Sequence, residues 1–241
     1  MTRGIFITGT STGVGKTVVT TGLLRLLAGQ GIRAAGLKPV ASGAKSVGPQ
    51  RALRNTDALE LQAAASLKLR YEDVNPWVFE PAIAPHIAAR EAGQPILLDD
   101  MVAWYQRVTT GADVALVEGA GGWRVPLHPD GFLSDLPEAL QLDVILVVGL
   151  TLGCLNHARL TVEAITRSGR CRLTGWVANA IDPGFERRAE NVATLADLLG
   201  APPLAEVAFH DGAARSPHDN VLVEFRPTPQ LGAAMAVSPK G

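Results

Sequence analysis

The chain has 241 residues, of which 47% are hydrophobic, so it is long enough to bury the core of one large domain. Its 22 Lys and Arg residues balance 23 Asp and Glu residues, and this charge disfavours nucleic acids, anionic membranes and other polyanions as partners. Two cysteines, Cys154 and Cys171, are too few for a disulfide-stapled secreted fold, and the N-terminal apolar stretch is too short for a secretory signal, so we expect a cytoplasmic protein.

Short apolar runs alternate with longer segments of helical period, which is the pattern of βαβ units around a parallel sheet. Strands are predicted at residues 4–8, 34–40, 114–118, 144–150 and 173–179. The runs at 114–118 and 144–150 are apolar without alternation, which indicates strands covered on both faces. We therefore expect an α/β fold with a mostly parallel central sheet flanked by helices on both faces.

The first helix should follow the first strand, because apolar residues recur there at i, i+4, i+7 and i+8. The buried stripe consists of Val19, Leu23, Leu26 and Leu27. Gly29 and Gly31 are expected to end this helix. Further helices are predicted at 56–69, after Asp99 as N-cap, at 157–168 and at 185–199.

No linker or repeat divides these elements, so one domain is predicted over residues 1–225. The remaining stretch, residues 226–241, is rich in Pro, Gly and Ala and offers little to pack. We expect it to be a loosely ordered C-terminal tail.

A glycine-rich segment at residues 9–17 lies between the first strand and the first helix. Its glycines let backbone N–H groups turn inward, while Lys16 can reach β- and γ-phosphates and Thr17 can bind Mg²⁺. The strict phosphate-loop pattern requires Gly where this chain has Thr10, but position and composition otherwise agree. The sequence therefore predicts a single-domain P-loop NTPase, rather than a glycine-rich turn with an incidental lysine.

Charged residues follow the neighbouring strands. Glu118 ends one strand, at the edge where ligands bind in open α/β sheets, and it is a candidate Mg²⁺ ligand. Lys38 follows the second strand and could neutralise a phosphoryl group or an anionic substrate, although an isolated lysine is as often a surface residue. Asp57 begins a helix, where spacing alone explains it equally well as a cap.

Other kinds of site find little support in the sequence. His86 and His157 have no second His or Cys at zinc-ligand spacing, so structural roles are favoured. No nucleophile elbow and no basic patch with interleaved aromatic residues occurs. Hydrolases with a nucleophile elbow are therefore disfavoured, and so is nucleic-acid binding.

Several blocks of this sequence resemble the dethiobiotin synthetase family, in order and spacing from about residue 4 to residue 205. They lie at residues 9–17, 38–43, 55–58, 84–89, 117–123, 152–157 and 175–179. The resemblance implies an ATP-dependent ring closure that joins CO₂ to the two amines of diaminopelargonate in biotin synthesis. In that family a carbamate attacks the γ-phosphate of ATP, and the second amine then displaces phosphate.

The resemblance also implies roles for individual residues. Lys16 and Lys38 would be catalytic, and Thr17, Asp57 and Glu118 would hold Mg²⁺ directly or through water. The implied nucleotide-binding residues are Thr12, Gly13, Val14, Gly15, Lys16, Thr17, Val18, Asp57, Glu118, Gly119, Ala120, Gly121, Asn179 and Ala180. Among these, Asn179 would read the edge of adenine.

The implied substrate site has two parts. Ser42 would contact the carbamate-bearing diamine. Gly153, Cys154 and Asn156 open a helix whose N-terminus, in the family, receives the substrate carboxylate across a dimer interface. A homodimer with shared sites is therefore implied.

The chain departs from the family pattern at two places. Ser11 stands where the family usually has Asp, and residues 204–208 lack the usual Gly and Pro. We therefore predict relaxed discrimination between ATP and other triphosphates. Two alternatives remain open: a P-loop amide ligase of the cobyrinate type, and a partner-switching ATPase, although the latter would carry an extra Lys near residues 10–12.

Overall fold

A computed structural model describes residues 2–209 and 225–235 of the chain. The strands are β1 (Arg3–Gly9), β2 (Ala34–Leu37), β3 (Val40–Ala41), β4 (Lys45–Val47), β5 (Ala52–Arg54), β6 (Trp77–Val78), β7 (Val114–Glu118), β8 (Pro126–His128), β9 (Gly131–Phe132), β10 (Asp143–Leu150), β11 (Arg172–Ala180), β12 (Ala205–Val207) and β13 (Phe225–Pro227). Seven of them form the central sheet, in the order β13-β12-β11-β10-β1-β7-β2. Every neighbouring pair in this sheet is parallel except β12 and β13.

Helices cover both faces of the sheet. They are α1 (Lys16–Gly29), α2 (Thr56–Ala64), α3 (Tyr71–Val74), α4 (Pro85–Glu91), α5 (Leu98–Val108), α6 (Asp135–Leu140), α7 (Cys154–Ser168), α8 (Arg188–Leu199) and α9 (Pro229–Met235). Along β10, Ile145 and Val147 join the core cluster under α1, whereas Leu146 and Val148 join a cluster with residues of α7. The predicted α/β fold, with a mostly parallel sheet between two helical layers, is confirmed.

Four of the five predicted strands are confirmed within two residues, as β1, β7, β10 and β11. The prediction of one strand over 34–40 was wrong, because the chain leaves the central sheet after Leu37 and residues 40–41 pair with β6 instead. Pro39 explains the break, since it has no N–H for the ladder and restricts the residue before it. The N–H of Lys38 donates instead to Val74 O, at 2.9 Å.

The first helix is confirmed, with Val19, Leu23 and Leu27 fully buried and Leu26 partly buried. It ends at Gly29, and Gly31 follows with φ of 74°. No helix in the described ranges combines the length and the apolar character needed to cross a bilayer.

Boundaries of the other predicted helices needed correction. The helix predicted over 56–69 ends at Ala64, because the Ser66 hydroxyl binds backbone groups of residues 32 and 34 and ties the chain to the sheet edge. Asp99 lies within the first turn of α5, and the cap position is Leu97. The later two helices begin at residue 154 instead of 157, and at residue 188 instead of 185.

The start of the expected tail has regular structure. Residues 225–227 form a strand that pairs with β12, and residues 229–235 form α9. Leu231 and Met235 are buried in the cluster under α1, an apolar face that composition alone did not reveal. A division of the chain at residue 225 would cut β13, and residues 236–241 lie outside the described residues.

An ionic cluster joins three adjacent strands at their amino ends. Asp143 on β10 accepts from Arg3 on β1 at 2.9 Å, and from two nitrogen atoms of Arg172 on β11 at 2.9 and 2.8 Å. Partial burial opposes the charge of Asp143, but the hydrogen bonds from Arg172 and Arg3 hold the pKa of its carboxyl below the ordinary value. The cluster therefore favours the observed order of these strands.

Replacing Asp143 by Asn should destabilise the fold by about 1 kcal/mol at neutral pH, since charged hydrogen bonds are lost while the shape is kept. Because the folded-state pKa is depressed, this contribution is present above the unfolded pKa and is lost as pH falls through the folded one. Urea unfolding of both proteins should show a gap that narrows below about pH 5. Asp130→Asn, at an exposed turn, is the control, and equal effects of the two substitutions would contradict the role of the cluster.

Candidate active site

Three adjacent parallel strands deliver functional groups to one edge of the sheet. The glycine-rich loop follows β1, Glu118 is the last residue of β7, and Lys38 follows β2 directly. These strands lie in the order β1-β7-β2, with Ile7 opposite Glu118 in the register. Because the carboxyl ends of parallel strands meet at one edge, Lys38 and Glu118, which are far apart in sequence, come into contact there.

The loop between β1 and α1 has the backbone of a phosphate cradle. Gly13 and Gly15 have φ values of 77° and 82°, which side-chain-bearing residues rarely adopt. Gly15 is the N-cap of α1, and a Cβ atom there would collide with the side chain of Asn179. The first N–H groups of the helix, which lack partners within it, begin directly after this glycine.

Lys16 is held inside the loop. Its Nζ atom donates to Gly121 O at 2.7 Å and to Ser11 O at 3.2 Å. Burial, with the nearby charge of Lys38, lowers the pKa of Lys16 to about 8, although Glu118 and Asp57 partly offset these effects. A bound anion would relieve this unfavourable environment of the ammonium group, so the lysine favours phosphate in the cavity.

Lys38 lies between two carboxylates. Its Nζ atom is 2.6 Å from Glu118 Oε1 and 3.0 Å from Asp57 Oδ2. Burial opposes the charge of Lys38, but Glu118 and Asp57 outweigh it and raise the pKa of the ammonium above its ordinary value. Burial also opposes the charge of Asp57, but Lys38 outweighs it and lowers the pKa of that carboxyl. Lys38 is therefore a fixed positive charge and not a proton acceptor.

Glu118 is fully buried and its two oxygen atoms differ. Oε1 accepts from Lys38 and from the Thr17 hydroxyl, the latter at 2.9 Å. Oε2 is buried and has no hydrogen-bond partner among the described residues. A buried carboxylate oxygen without a partner is costly, so a ligand for this atom is expected.

These groups line one cavity of about 610 Å³. Its lining includes these predicted site residues: Thr12, Gly13, Gly15, Lys16, Thr17, Val18, Lys38, Ser42, Asp57, Glu118, Ala120 and Gly121. The Ser42 hydroxyl is buried without a partner among the described residues. The structure thus brings together both predicted lysines, the three predicted metal ligands and one predicted substrate residue.

The remaining predicted site residues lie outside the lining of this cavity. Val14 is buried, and Gly119 offers its carbonyl to Lys38 at 3.4 Å. Gly153, Cys154 and Asn156 lie at the start of α7, beside a Leu152 side chain that is 94% exposed.

Asn179 and Ala180 are the last two residues of β11. The Asn179 Nδ2 atom donates to Val14 O at 2.8 Å, and the residue is 4% exposed. The amide nitrogen therefore fastens the loop, a contact that sequence reasoning did not anticipate because it joins residues 165 positions apart.

Sequence reasoning also gave no role to other lining residues. Asn55 caps α2 by accepting from Ala58 N at 3.2 Å, and an Asn before Thr-Asp could have signalled this cap. Ala41, Glu60 and residues 82–85 complete the wall. The block at residues 84–89 was recognised, but nothing in its residue types indicated a position beside the cavity.

The oxygen atoms at this site fit a divalent cation. The Glu118 Oε2 atom has no hydrogen-bond partner among the described residues, and Thr17 and Asp57 line the same cavity. The described residues contain no group of three His, Cys, Asp or Glu that could hold a metal. A cation here would therefore use the hydroxyl and the oxygens of a phosphate ligand besides the acids, as Mg²⁺ commonly does.

Comparisons with known proteins agree with this geometry. The sequence model of a family described as an AAA domain matches residues 3–214. A protein of Pseudomonas paraeruginosa is 52% identical over 205 residues, covering 84% of this chain and 88% of the relative. A protein of Photobacterium profundum is 43% identical over 223 residues, covering 92% of this chain and 100% of the relative. Both relatives are named ATP-dependent dethiobiotin synthetase BioD.

Solved structures show the same fold at low sequence identity. The septum site-determining protein MinD of Pyrococcus horikoshii, in complex with Mg-ADP, superposes with a TM-score of 0.54 at 19% identity, covering 94% of this chain and 87% of that protein. A ParA family ATPase of Chlorobium tepidum gives a TM-score of 0.52 at 13% identity, covering 92% and 88%. At these identities the likeness concerns the fold alone.

The sheet order, the phosphate loop and these matches define an α/β protein of the P-loop NTPase class. Within that class, the chain belongs to the family of ATP-dependent dethiobiotin synthetases, because relatives at 43–52% identity cover most of both sequences. The likeness to MinD and to the ParA family ATPase, at 19% and 13% identity, extends only to the fold.

Replacing Asn179 by Ala should weaken the binding of both adenine and guanine nucleotides, because the loop loses the bond to Val14 O. Loss of one buried hydrogen bond corresponds to a decrease in affinity of about five-fold. Calorimetric titration with ADP and with GDP measures both affinities. Asn191→Ala, which removes a similar amide-to-carbonyl bond on α8, is the control. A loss confined to ADP would mean that Asn179 reads the base only.

Proposed function

We propose that this protein catalyses the ATP-dependent carboxylation and ring closure of 7,8-diaminopelargonate with CO₂, giving dethiobiotin, ADP and phosphate in biotin biosynthesis. The names of its relatives support this reaction. The observation that carries the proposal is the cavity in which two buried lysines face a hydroxyl and two carboxylates. Carbamate formation and phosphoryl transfer bring anions together, and this arrangement supplies the positive charge they need.

The phosphate loop binds the triphosphate of ATP. Lys16 exchanges its carbonyl partners, Gly121 and Ser11, for phosphate oxygens, and the N-terminus of α1 adds N–H donors. Thr17, Asp57 and Glu118 hold Mg²⁺, which when bound neutralises charge on the phosphate oxygens. The backbone of residues 13–18 surrounds the phosphates, and Asn179 reads the edge of adenine through its amide oxygen.

Lys38 acts on the reacting groups as a fixed charge. One amine of the diamine captures CO₂ as a carbamate, whose oxygen then attacks the γ-phosphorus while the bond to ADP breaks. The second amine attacks the carbamate carbon, and phosphate leaves as the ureido ring closes. Each step concentrates negative charge, so a lysine kept protonated by Glu118 and Asp57 stabilises the transition states.

Ser42 and the apolar residues that line the same cavity bind the diamine. The Ser42 hydroxyl is buried without a protein partner among the described residues, so it is free to donate to a carbamate oxygen. Ala82, Ile83 and Pro85 give the cavity an apolar side that suits the alkyl chain of the substrate.

The substrate carboxylate binds at the start of α7 of a second subunit. Gly153, Cys154 and Asn156 do not line the cavity of their own chain, so their contribution to it requires a partner. Leu152, which is 94% exposed, offers apolar surface beside them for a homodimer interface. A cytoplasmic location is part of this proposal, since ATP is available there and both cysteines are free thiols.

Purified protein should release phosphate from MgATP only when diaminopelargonate and bicarbonate are both present, because the γ-phosphoryl group needs the carbamate as nucleophile. Mass spectrometry should detect dethiobiotin in equal amount. We expect GTP to support the reaction within about ten-fold of ATP, since Ser11 replaces an acid near the loop. ATP hydrolysis without product would contradict the proposed reaction, and a strong preference for ATP would contradict the relaxed selectivity.

Replacing Glu118 by Gln should lower kcat/KM by about a hundredfold, because one metal ligand and one partner of Lys38 are lost together. The Mg²⁺ concentration for half-maximal rate should also rise. Initial rates over a Mg²⁺ titration measure both effects. Glu91→Gln, an exposed residue at the end of α4, is the control, and unchanged Mg²⁺ dependence of Glu118→Gln would remove this residue from the metal site.

A further inference from the structure

A chain of three hydrogen bonds, two of them buried and one partly buried, joins the two segments that carry Lys38 and Asp57. The N–H of Asn55 donates to the Tyr71 hydroxyl at 2.7 Å, and this hydroxyl donates to Asn75 Oδ1 at 3.0 Å. The Asn75 Nδ2 atom donates in turn to Lys38 O at 2.7 Å. Two side chains, Tyr71 and Asn75, thus connect the start of α2 with the chain beyond β2.

Both side chains lie behind the cavity wall. Tyr71 is 6% exposed and Asn75 is 1% exposed, and neither lines the cavity. The guanidinium of Arg54 stacks over the Tyr71 ring at 4.1 Å. Burial raises the pKa of the Tyr71 hydroxyl above its ordinary value, so the hydroxyl keeps the proton that it donates. The two side chains are therefore shielded from solvent, and the hydrogen-bond chain has a defined direction.

Lys38 needs this support because it lies where the sheet has ended. The next residue is a proline, and the residue before it was the last one of β2. Its N–H donates to Val74 O at 2.9 Å and its C=O accepts from Asn75, so the C-terminal end of α3 replaces the missing strand. The backbone that carries the ammonium group is fixed by these contacts.

Asp57 is fixed through the same hydrogen-bond chain. It lies in the first turn of α2, whose N-cap is Asn55, and the backbone N–H of Asn55 is the group that Tyr71 accepts from. The Asp57 side chain, 42% exposed, meets Lys38 Nζ at 3.0 Å. Without the Tyr71 hydroxyl, the start of α2 would lose its hydrogen-bonded link to the backbone that carries Lys38, and the two would be joined through the side chains of the site and the surrounding packing.

We propose that Tyr71 and Asn75 are positioning residues that set the relative placement of Lys38 and Asp57 for phosphoryl transfer. This inference rests on the proposed function. A charge stabilises a transition state fully only when it is held in place beforehand, and a displacement of about 1 Å can lower a rate by about a hundredfold. The phosphate loop is not part of the hydrogen-bond chain. Loss of the hydrogen-bond chain should therefore affect turnover more than nucleotide binding.

Tyr71→Phe tests this role, because it removes only the hydroxyl and keeps the ring in its cluster with Ala58 and Val74. We expect kcat for dethiobiotin formation to fall about ten-fold or more while KM for ATP stays within about two-fold. Tyr105→Phe is the matched control, because Tyr105 is the other tyrosine of the chain, is also buried, and has its hydroxyl against Gly4 on the amino end of β1. Thermal unfolding of both variants measures the structural effect of losing a buried hydroxyl.

Asn75→Leu is the second variant, since it removes the link to Lys38 and approximately keeps the volume. A double variant should lose little more kcat than either single one, because each substitution interrupts the same hydrogen-bond chain. Equal kcat values for Tyr71→Phe and Tyr105→Phe, or a loss seen only in KM for ATP, would overturn the positioning role. Failure of the wild-type protein to form product is a different outcome, which would overturn the proposed function itself and the role of the two residues with it.

Discussion

The contact between Lys38 and Glu118, 2.6 Å long and excluded from solvent, is the interaction on which the rest of the site depends. Removing two charges from water is costly, and their attraction offsets that cost only when further hydrogen bonds satisfy both groups. Thr17 donates to the carboxylate, and Asp57 accepts from the ammonium group. The phosphate loop, β7 and α2 are therefore all held to one ion pair.

The charges around this pair also explain which ligand the cavity suits. The positive charges of two lysines equal the negative charges of two carboxylates, but the ion pairs are unevenly distributed. Lys38 contacts both carboxylates, whereas Lys16 donates to carbonyl oxygens. The lowered pKa of Lys16, about 8, results from its burial and from the Lys38 charge. The Glu118 Oε2 atom lacks a partner among the described residues at the same time. An anion and a cation that arrive together, such as a triphosphate with Mg²⁺, would satisfy both ends of this uneven arrangement.

The sequence was informative where function depends on local pattern. Residues 9–17, the strand ending at Glu118 and the lysine after β2 follow from spacing, and parallel strand ends then bring them together. The sequence was uninformative where a polar side chain could form hydrogen bonds with several different groups. The Asn179 amide nitrogen bonds a loop carbonyl, and Tyr71 and Asn75 support backbone groups, because of contacts between distant segments that no local pattern encodes. The break at Pro39 was visible in the sequence but was outweighed by the apolar run around it.

Sheet register is consequently a functional constraint as well as a structural one. Side chains alternate between the faces of a strand, so a shift of β7 by one residue would turn Glu118 away from Lys38 and place an apolar neighbour there. The ion cluster around Asp143 acts on β1, β10 and β11 at the opposite end of the sheet, while the Lys38 pair ties β2 to β7 at the carboxyl end. Since β1 lies between β10 and β7 in the sheet, its position relative to both strands determines where the phosphate loop begins. Stability at one end of the sheet and geometry at the other are thus properties of the same strand.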